Sequence, residues 1–580
     1  VQNQGRCGSC WAFSITGLIE AQTHIQHGFW AKLSEADLFE SSSRSCNAGW
    51  DFLPALDMLV TDSHGLADSS CNIYYDKDRP FLGCGDREGR TLEFGDYHGL
   101  ETTHDEKRWL NEVGPITCAI DVYLDFKLWK AGDPPYRHTN HSQDLLGGHG
   151  LLIVGYNDAK ESWIVKNSWG SDWGDDGYIE IAYGEVRIDD FQNNTKYGVT
   201  NLSPSQAQRR RHRNGMIFQS ANGTTHRDLQ VLRVAKGGTL LFLQYSGETP
   251  NEWSVISDVI SPILGDLPPE DLNNFFNESD GRVTGQPILF SSSFGRQKEV
   301  MYWVQEKGTF AHWYSSNVED LWFQTPPGGA KDFTDDWHGD IAGYPGFIQT
   351  DDSNFTVVVK TINNGEESLT EYFRNVDIGN FTTQRFVTPS GILQSGPSLV
   401  QSNIGLNLKD KGSQGNLHVV AVTTSNQLQL FWRSPSEEEW HEGELFGEGI
   451  PNTPPIMIQD FWGTKDENAA GGFQLLVANS IGNVEHWQGL NHNALSYPPT
   501  EGKPWVWEKV SEFGNGEVKH VWGLVQGSFN FGLEAIVEDI EGDLWHWRYN
   551  GEWEKGDKLP DHWDVPDDED NGGDEEGDRK

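Results

Sequence analysis

The sequence predicts an α+β domain over residues 1–200, followed by an all-β repeat region over 217–560 that reads as a β-propeller of about six blades. Three observations carry this. All six cysteines (Cys7, Cys10, Cys46, Cys71, Cys84 and Cys118) fall in the first fifth of the 580-residue chain, so they belong to one module. The N-terminal part opens on a helical pattern and later turns to strand-like runs. From about residue 217 the texture changes to short alternating strands that recur six times.

The first element is a helix over SCWAFSITGLIEAQTHIQHG. Trp11, Ile15, Leu18, Ile19 and Ile25 recur at helical spacing, and Ser9 stands at the cap position. The runs GHGLLIVGY, SWIVKNSW and WGDDGYIEI read as strands of the same domain. A break follows at SPSQAQRRRHRNG (203–215), polar, basic and without periodicity, within a basic linker over 201–216. It reads as an exposed connection, and its paired arginines also suit a processing protease.

The repeat region aligns on one apolar or aromatic anchor per unit: Leu243, Trp313, Tyr372, Phe431, Trp487 and Trp547. Before each lies a second alternating run, LQVLRV, VMYWVQ, FTVVVK, LHVVAVT, FQLLVAN and LEAIVED. Each unit is therefore a hairpin with extra sequence around it. Roughly 58 residues hold four short strands and their turns, which is one propeller blade. A β-sandwich, or a pair of them, is the competing reading, and the regular spacing disfavours it. The strand–turn–His-Trp texture loosely resembles the tandem-repeat lectin propellers of fungi and bacteria. Residues 561–580 hold ten acids and read as a disordered tail.

Composition bounds the partners. A net charge of −44 disfavours nucleic-acid backbones and anionic membrane surfaces. No run of about eighteen apolar residues marks a membrane span. Sequons at Asn140, Asn193, Asn201, Asn222, Asn277, Asn354 and Asn380 fit secretion without requiring it.

The chemistry concentrates at QNQGRCGSCWAFS. A structural zinc site needs a second close pair of ligands, and none follows Cys7 and Cys10. A redox pair needs a surrounding βαβ unit, which is also lacking. Cys10 stands at the start of the helix, where free N–H groups and the helix dipole favour a thiolate. A thiolate attacks an amide carbonyl when an imidazole can protonate the leaving amine. His149, in GGHGLLIVGY, supplies a ring, and Asn167, in KNSWG, an amide to orient it.

Together these three motifs resemble the papain-like cysteine peptidases, a family with a two-lobed α+β fold, over residues 1–190. The resemblance implies Cys10 as nucleophile, His149 as its proton partner and Asn167 as the group that orients the ring, with Trp169 shielding that contact. It implies Gln4 as a side-chain donor to the oxyanion hole beside the backbone N–H of Cys10. Gly49 would lie along the substrate backbone, with Trp50 and Asp51 near the main specificity pocket. Cys7 would pair with Cys46. Ser41 stands where the family commonly has another disulfide cysteine, so Cys71 is expected to pair with Cys84, leaving Cys118 as a buried free thiol. Ala48 replaces a frequent glycine. The family also carries a pro-segment and further residues before this motif, so upstream sequence is expected.

The expected function is a cysteine endopeptidase, without cofactor or metal, that acts on polypeptides in a secreted, vacuolar or lysosomal setting. The propeller would bind glycans or glycoproteins. The alternative is a lectin-like binding protein with an inactive or vestigial peptidase domain, and a purely structural propeller is a third reading.

Overall fold

The computed structural model describes residues 1–27, 31–61, 65–69, 71–81, 87–139, 145–190, 195–204, 210–219, 229–234, 240–245, 252–258, 283–293, 298–304, 309–315, 322–324, 340–352, 354–363, 365–374, 381–387, 395–406, 414–460, 471–491, 500–501, 505–527 and 532–561. The expected acidic tail beyond Asp561 lies outside the described residues, as do the sequons at 140, 193, 222, 277 and 380. Of the other two, Asn201 is exposed and Asn354 half-buried.

The opening helix, α1, spans Cys10–His27. It is buried nearly all round, as suits a helix at the centre of a domain. Trp11, Ile15, Leu18 and Ile19 lie inside, whereas Ile25 is 48% exposed on the outer side of a last turn whose His27 stays buried. Two buried hydroxyls of α1 find backbone partners: Ser14 Oγ donates to the Leu151 carbonyl and Thr23 Oγ1 to that of Ile19. Helices α2 (Glu35–Ser41) and α3 (Phe52–Thr61) pack beside it. Ser34 caps α2 by accepting from the Asp37 N–H. Leu38, Phe39 and Leu56 complete this first core.

Strands β1 (Leu66–Ala67) and β2 (Thr91–Leu100) precede helix α3's successor, α4 (Thr103–Glu112). Then come β3 (Ile116–Tyr123), β4 (Leu145–Asn157), β5 (Ser162–Lys166), β6 (Tyr178–Ala182) and β7 (Lys196–Ser203). Strands β3 to β6 form an antiparallel sheet in sequence order, and β1, β2 and β7 form another. Ile120, Phe126, Trp163, Val165 and Ile181 make a second core on the four-stranded sheet. The chain thus has two cores here, one behind the start of α1 and one behind β4.

The remainder is all β. Among its described residues six antiparallel sheets follow one another along the chain. Each has a four-stranded meander, and every sequence anchor falls on its third strand, opposite a residue of the second. Leu243 faces Val231, Trp313 faces Val300, Tyr372 faces Val357, Phe431 faces Val419, Trp487 faces Leu475 and Trp547 faces Ala535. First strands of successive sheets are neighbours. Gln349 accepts the Ser293 N–H at 2.8 Å, Gln401 that of Asp351 at 2.6 Å and Gln459 that of Asn403 at 2.9 Å, each reaching back to the preceding sheet. Ile458 and Leu524 share a core between the fifth and sixth sheets. The sixth adjoins the first: the Met216 N–H donates to the Trp522 carbonyl, and Arg233 to those of Leu559 and Pro560.

The basic linker is corrected in part. Residues 205–209 lie outside the described residues, but Arg213–Gly215 form a strand, β8, paired with Gly523–Val525 of the sixth sheet. Arg211 meets Asp351 of the third sheet at 2.7 Å, and His212 Nδ1 lies 2.7 Å from the Gln459 carbonyl of the fifth. Arg213 reaches the Leu289 carbonyl of the second sheet at 3.2 Å. Buried Asn214 donates from Nδ2 to Ser398 Oγ (2.9 Å), Leu399 O (3.1 Å) and Met457 O (2.8 Å) of the fourth and fifth. Basic side chains that composition assigns to solvent instead satisfy carboxylate and carbonyl groups on the edges of several sheets. The β region therefore starts before residue 217, and the second half of the basic stretch is not an exposed processing loop.

Candidate active site

The N-terminal segment runs across the start of α1 and pairs with the stretch after β5. Asn3 bridges Trp169, the Gly170 N–H donates to the Gln2 carbonyl, and the Gln4 N–H to the Ser168 carbonyl at 2.9 Å. Cys7 and Cys46 are joined in a disulfide, which brings the loop after α2 against this segment. The Gly8 N–H donates to the Cys46 carbonyl at 2.8 Å beside it. Cys71 is also disulfide-bonded, while Cys84, its expected partner, lies outside the described residues. Cys118 is a buried free thiol on β3, pushed up to about 12 by burial. Ser41 turns its hydroxyl onto the Leu38 carbonyl.

Cys10 is the first residue of α1 and a free thiol. Its sulfur is within reach of the backbone N–H groups of Gly150, Trp11 and Cys10 itself, which favour the thiolate, but burial outweighs them and pushes the thiol up. Gly150 follows His149 on β4. A Cβ at Gly150 would sit 3.2 Å from the Trp11 nitrogen and 3.1 Å from the Phe52 ring, so a side chain there would push β4 and the helix start apart by a few tenths of an ångström.

His149 is 6% exposed. Its Nε2 lies 2.8 Å from Asn167 Oδ1, and Trp169 stacks on its ring with centroids 5.0 Å apart. Burial pulls His149 down to about 4, against the contact with Asn167, which favours the charged ring. Asn167 Oδ1 also accepts the Ser168 N–H at 2.8 Å, which fixes the carboxamide with its oxygen towards the imidazole. Cys10 and His149 thus resist charging separately.

Gln4 is buried. Its Oε1 accepts from Ser168 Oγ at 2.5 Å, and its Nε2 donates to the Cys7 carbonyl at 2.9 Å, leaving a second N–H on the same nitrogen. Gly49 is exposed, and a Cβ there meets nothing within 4 Å, so packing within the chain does not explain the glycine. Trp50 sits edge-on to Trp11 at 5.0 Å with the Arg44 guanidinium 4.7 Å from its ring, which makes it a wall of the first core, and Asp51 beside it is exposed. The capping reading of Ser9 is corrected: its hydroxyl lies 2.6 Å from Tyr74 Oη. Ser168 and Tyr74 escaped sequence reasoning. Ser168 sits inside the KNSWG run that flagged Asn167, whereas nothing around CNIYY marks Tyr74.

Among the described residues, Asp539, Glu541 and Asp543 are the carboxylates gathered closely enough to suggest a cation. Asp539 is engaged by the N–H groups of Glu541 and Asp543 and by Trp545 Nε1, and Asp543 by Lys558, which accounts for the cluster as a turn. No helix among them is long and apolar enough to cross a membrane.

A free cysteine at a helix start thus lies against a strand that carries a histidine bonded to an asparagine. The family model "Papain family cysteine protease" matches residues 1–199, and this part of the chain is a papain-family cysteine protease domain. It is 35% identical over 195 residues to Procathepsin L of Felis catus, covering 31% of this chain and 56% of that protein. It is 36% identical over 194 residues to a Cathepsin L-like protein of Caenorhabditis elegans (31% and 55%). It is 35% identical over 192 residues to Digestive cysteine proteinase 3 of Homarus americanus (31% and 57%). The chain spans about half the length of the curated relatives it matches, and the family match ends before the six sheets.

Proposed function

We propose that this chain is a cysteine-type endopeptidase in which Cys10, His149 and Asn167 hydrolyse peptide bonds. The observation that carries the reading is the 2.8 Å contact of His149 Nε2 with Asn167 Oδ1 on a strand laid against the head of α1. The proton of Cys10 Sγ passes to His149, and the sulfur attacks the scissile carbonyl carbon. The resulting oxyanion takes the backbone N–H of Cys10 and the second N–H of Gln4 Nε2. As the intermediate collapses the C–N bond breaks, and His149 gives its proton to the leaving amine. Water then attacks the thioester, His149 takes its proton, and the acid leaves as Cys10 regains the hydrogen. Trp169 keeps water off the His149–Asn167 contact, and Gly49 and Trp50 line the substrate's path. The Cys7–Cys46 disulfide supports a secreted or vacuolar/lysosomal setting.

We read the β region as a closed six-bladed propeller that binds glycans or proteins. What supports closure is the succession of neighbouring sheets, with the sixth beside the first.

The second reading, a binding protein with an inactive peptidase domain, draws on the burial that raises Cys10 and lowers His149. Hydrolysis of a peptidyl reporter, blocked by a thiol-directed epoxide and abolished by Cys10→Ala, is expected. Full activity in Cys10→Ala would end the peptidase reading. The Cys10→Ala chain on a glycan array tests the propeller's ligand without self-cleavage.

A further inference from the structure

Ser9 precedes Cys10 and is fully buried. A serine at the head of a helix ordinarily turns its hydroxyl onto the first-turn N–H groups. This one is diverted. Ser9 Oγ lies 2.6 Å from Tyr74 Oη, and Tyr74 Oη donates to the Gln4 carbonyl at 2.9 Å. A phenol has one hydrogen, and here it goes to Gln4, so Ser9 is the donor to Tyr74. The order runs Ser9 Oγ–H, Tyr74 Oη–H, Gln4 C=O.

The tyrosine is set firmly. Its ring stands edge-on to Phe13 of α1 with centroids 4.8 Å apart. Gly5 has φ +63°, and a Cβ there would lie 2.5 Å from Asp76 Cβ, so the segment after Gln4 touches the segment after Tyr74 with no room for a side chain. Burial, with the acidic groups Asp76, Glu35 and Cys10 adding to it, pushes the phenol up to about 12, so it remains a donor through neutral pH. Meanwhile the Trp11 N–H, one of the two that a capping Ser9 would take, acts on the Cys10 sulfur together with the Cys10 N–H.

We propose that Tyr74 is a positioning residue for the hydrolytic reaction. Its hydroxyl holds the Gln4 segment at a fixed separation from the head of α1. It also receives the Ser9 hydrogen and so sets the direction of Oγ, leaving the Cys10 and Trp11 N–H groups to the nucleophile and the developing oxyanion. The proposal rests on Cys10 being the nucleophile.

The test uses the full chain. Tyr74→Phe keeps the contact with Phe13 and removes both hydrogen bonds. It is expected to lower kcat by about tenfold or more with KM within about twofold, and to slow alkylation of Cys10 by a peptidyl epoxide in parallel. Adding Ser9→Ala removes the hydroxyl that Tyr74→Phe sets free to cap the helix, and is expected to restore most of the alkylation rate. A kcat within twofold of the parent chain overturns the proposal. So does a loss that Ser9→Ala does not relieve and that comes with a raised KM and a lower urea midpoint, since that is what a packing role would give. If the parent chain itself does not react with the epoxide, the Cys10 reading falls and takes this one with it. If the parent and Tyr74→Phe react equally fast, the Tyr74 assignment falls alone.

Discussion

Replacing Asn167 by alanine removes one oxygen that receives two N–H groups, from His149 Nε2 and from the Ser168 backbone, each at 2.8 Å. The side chain is buried, so water does not readily take its place. While the imidazole is neutral, that contact contributes about 1 kcal/mol, and once the ring carries the proton from Cys10 it is charge-assisted and contributes about 1.5–3 kcal/mol. The difference between ring states is what the reaction loses, together with part of the ring's orientation. Trp169, stacked at 5.0 Å, still limits rotation of the imidazole. The expected fall in kcat/KM is therefore about 10- to 100-fold, not complete loss. The assay is steady-state hydrolysis of a peptidyl-coumarin reporter, normalised to the fraction of chains that an epoxide titrates. A fall below about twofold would refute the orienting role of Asn167. Asn167→Asp gives the sign of the electrostatics. A carboxylate beside the ring stabilises imidazolium against the burial that pulls His149 down to about 4. The alkaline limb of the pH–rate profile, where imidazolium loses its proton, should move up; movement downward would contradict the argument.

Other perturbations follow from single contacts. Gly150→Ala places a methyl 3.1 Å from the Phe52 ring and 3.2 Å from the Trp11 nitrogen, so β4 backs away from α1; a loss of about 1–3 kcal/mol in urea titration and a larger effect on kcat than on KM are expected. Asn214→Ala takes one donor from Ser398 Oγ, which keeps the Met457 N–H, and one each from the Leu399 and Met457 carbonyls, which should cost about 2–3 kcal/mol in the urea unfolding of the β region followed by tryptophan fluorescence. His486 donates from Nε2 to Gln474 and accepts at Nδ1 from Trp553, and burial holds it down at about 4. The unfolded chain takes a proton below about pH 6.5 that the folded one refuses, so the contribution is whole above that pH and is lost as pH falls towards 4, up to roughly 3 kcal/mol. His486→Gln should flatten the urea midpoint across that window, and an unchanged slope would count against it.

The parts of this molecule legible in its sequence are those fixed by short-range pattern. Helix α1 follows from the spacing of Trp11, Ile15, Leu18 and Ile19, and the six anchors fall in equivalent register because a two-residue alternation is a property of each strand alone. What failed was decided by partners far along the chain. Ser9 reads as a cap until Tyr74, 65 residues later, takes its hydroxyl. Ile25 fits the apolar stripe, yet it faces outward while His27 of the same turn is buried. Arg211 and Arg213 carry no periodicity, and their acceptors, Asp351 and the Leu289 carbonyl, lie on different sheets far along the chain. Local composition cannot encode an acceptor that another strand supplies only after folding.

Strand β8 pairs with residues made some 300 positions later, at Gly523–Val525. During translation the protease domain emerges first and has its own cores to bury. The Arg213–Gly215 stretch must then wait through five sheets for its wall, so assembly of the β region ends only when the last sheet leaves the ribosome. A message that stops short of that sheet would leave Arg213–Gly215 without the strand it pairs with.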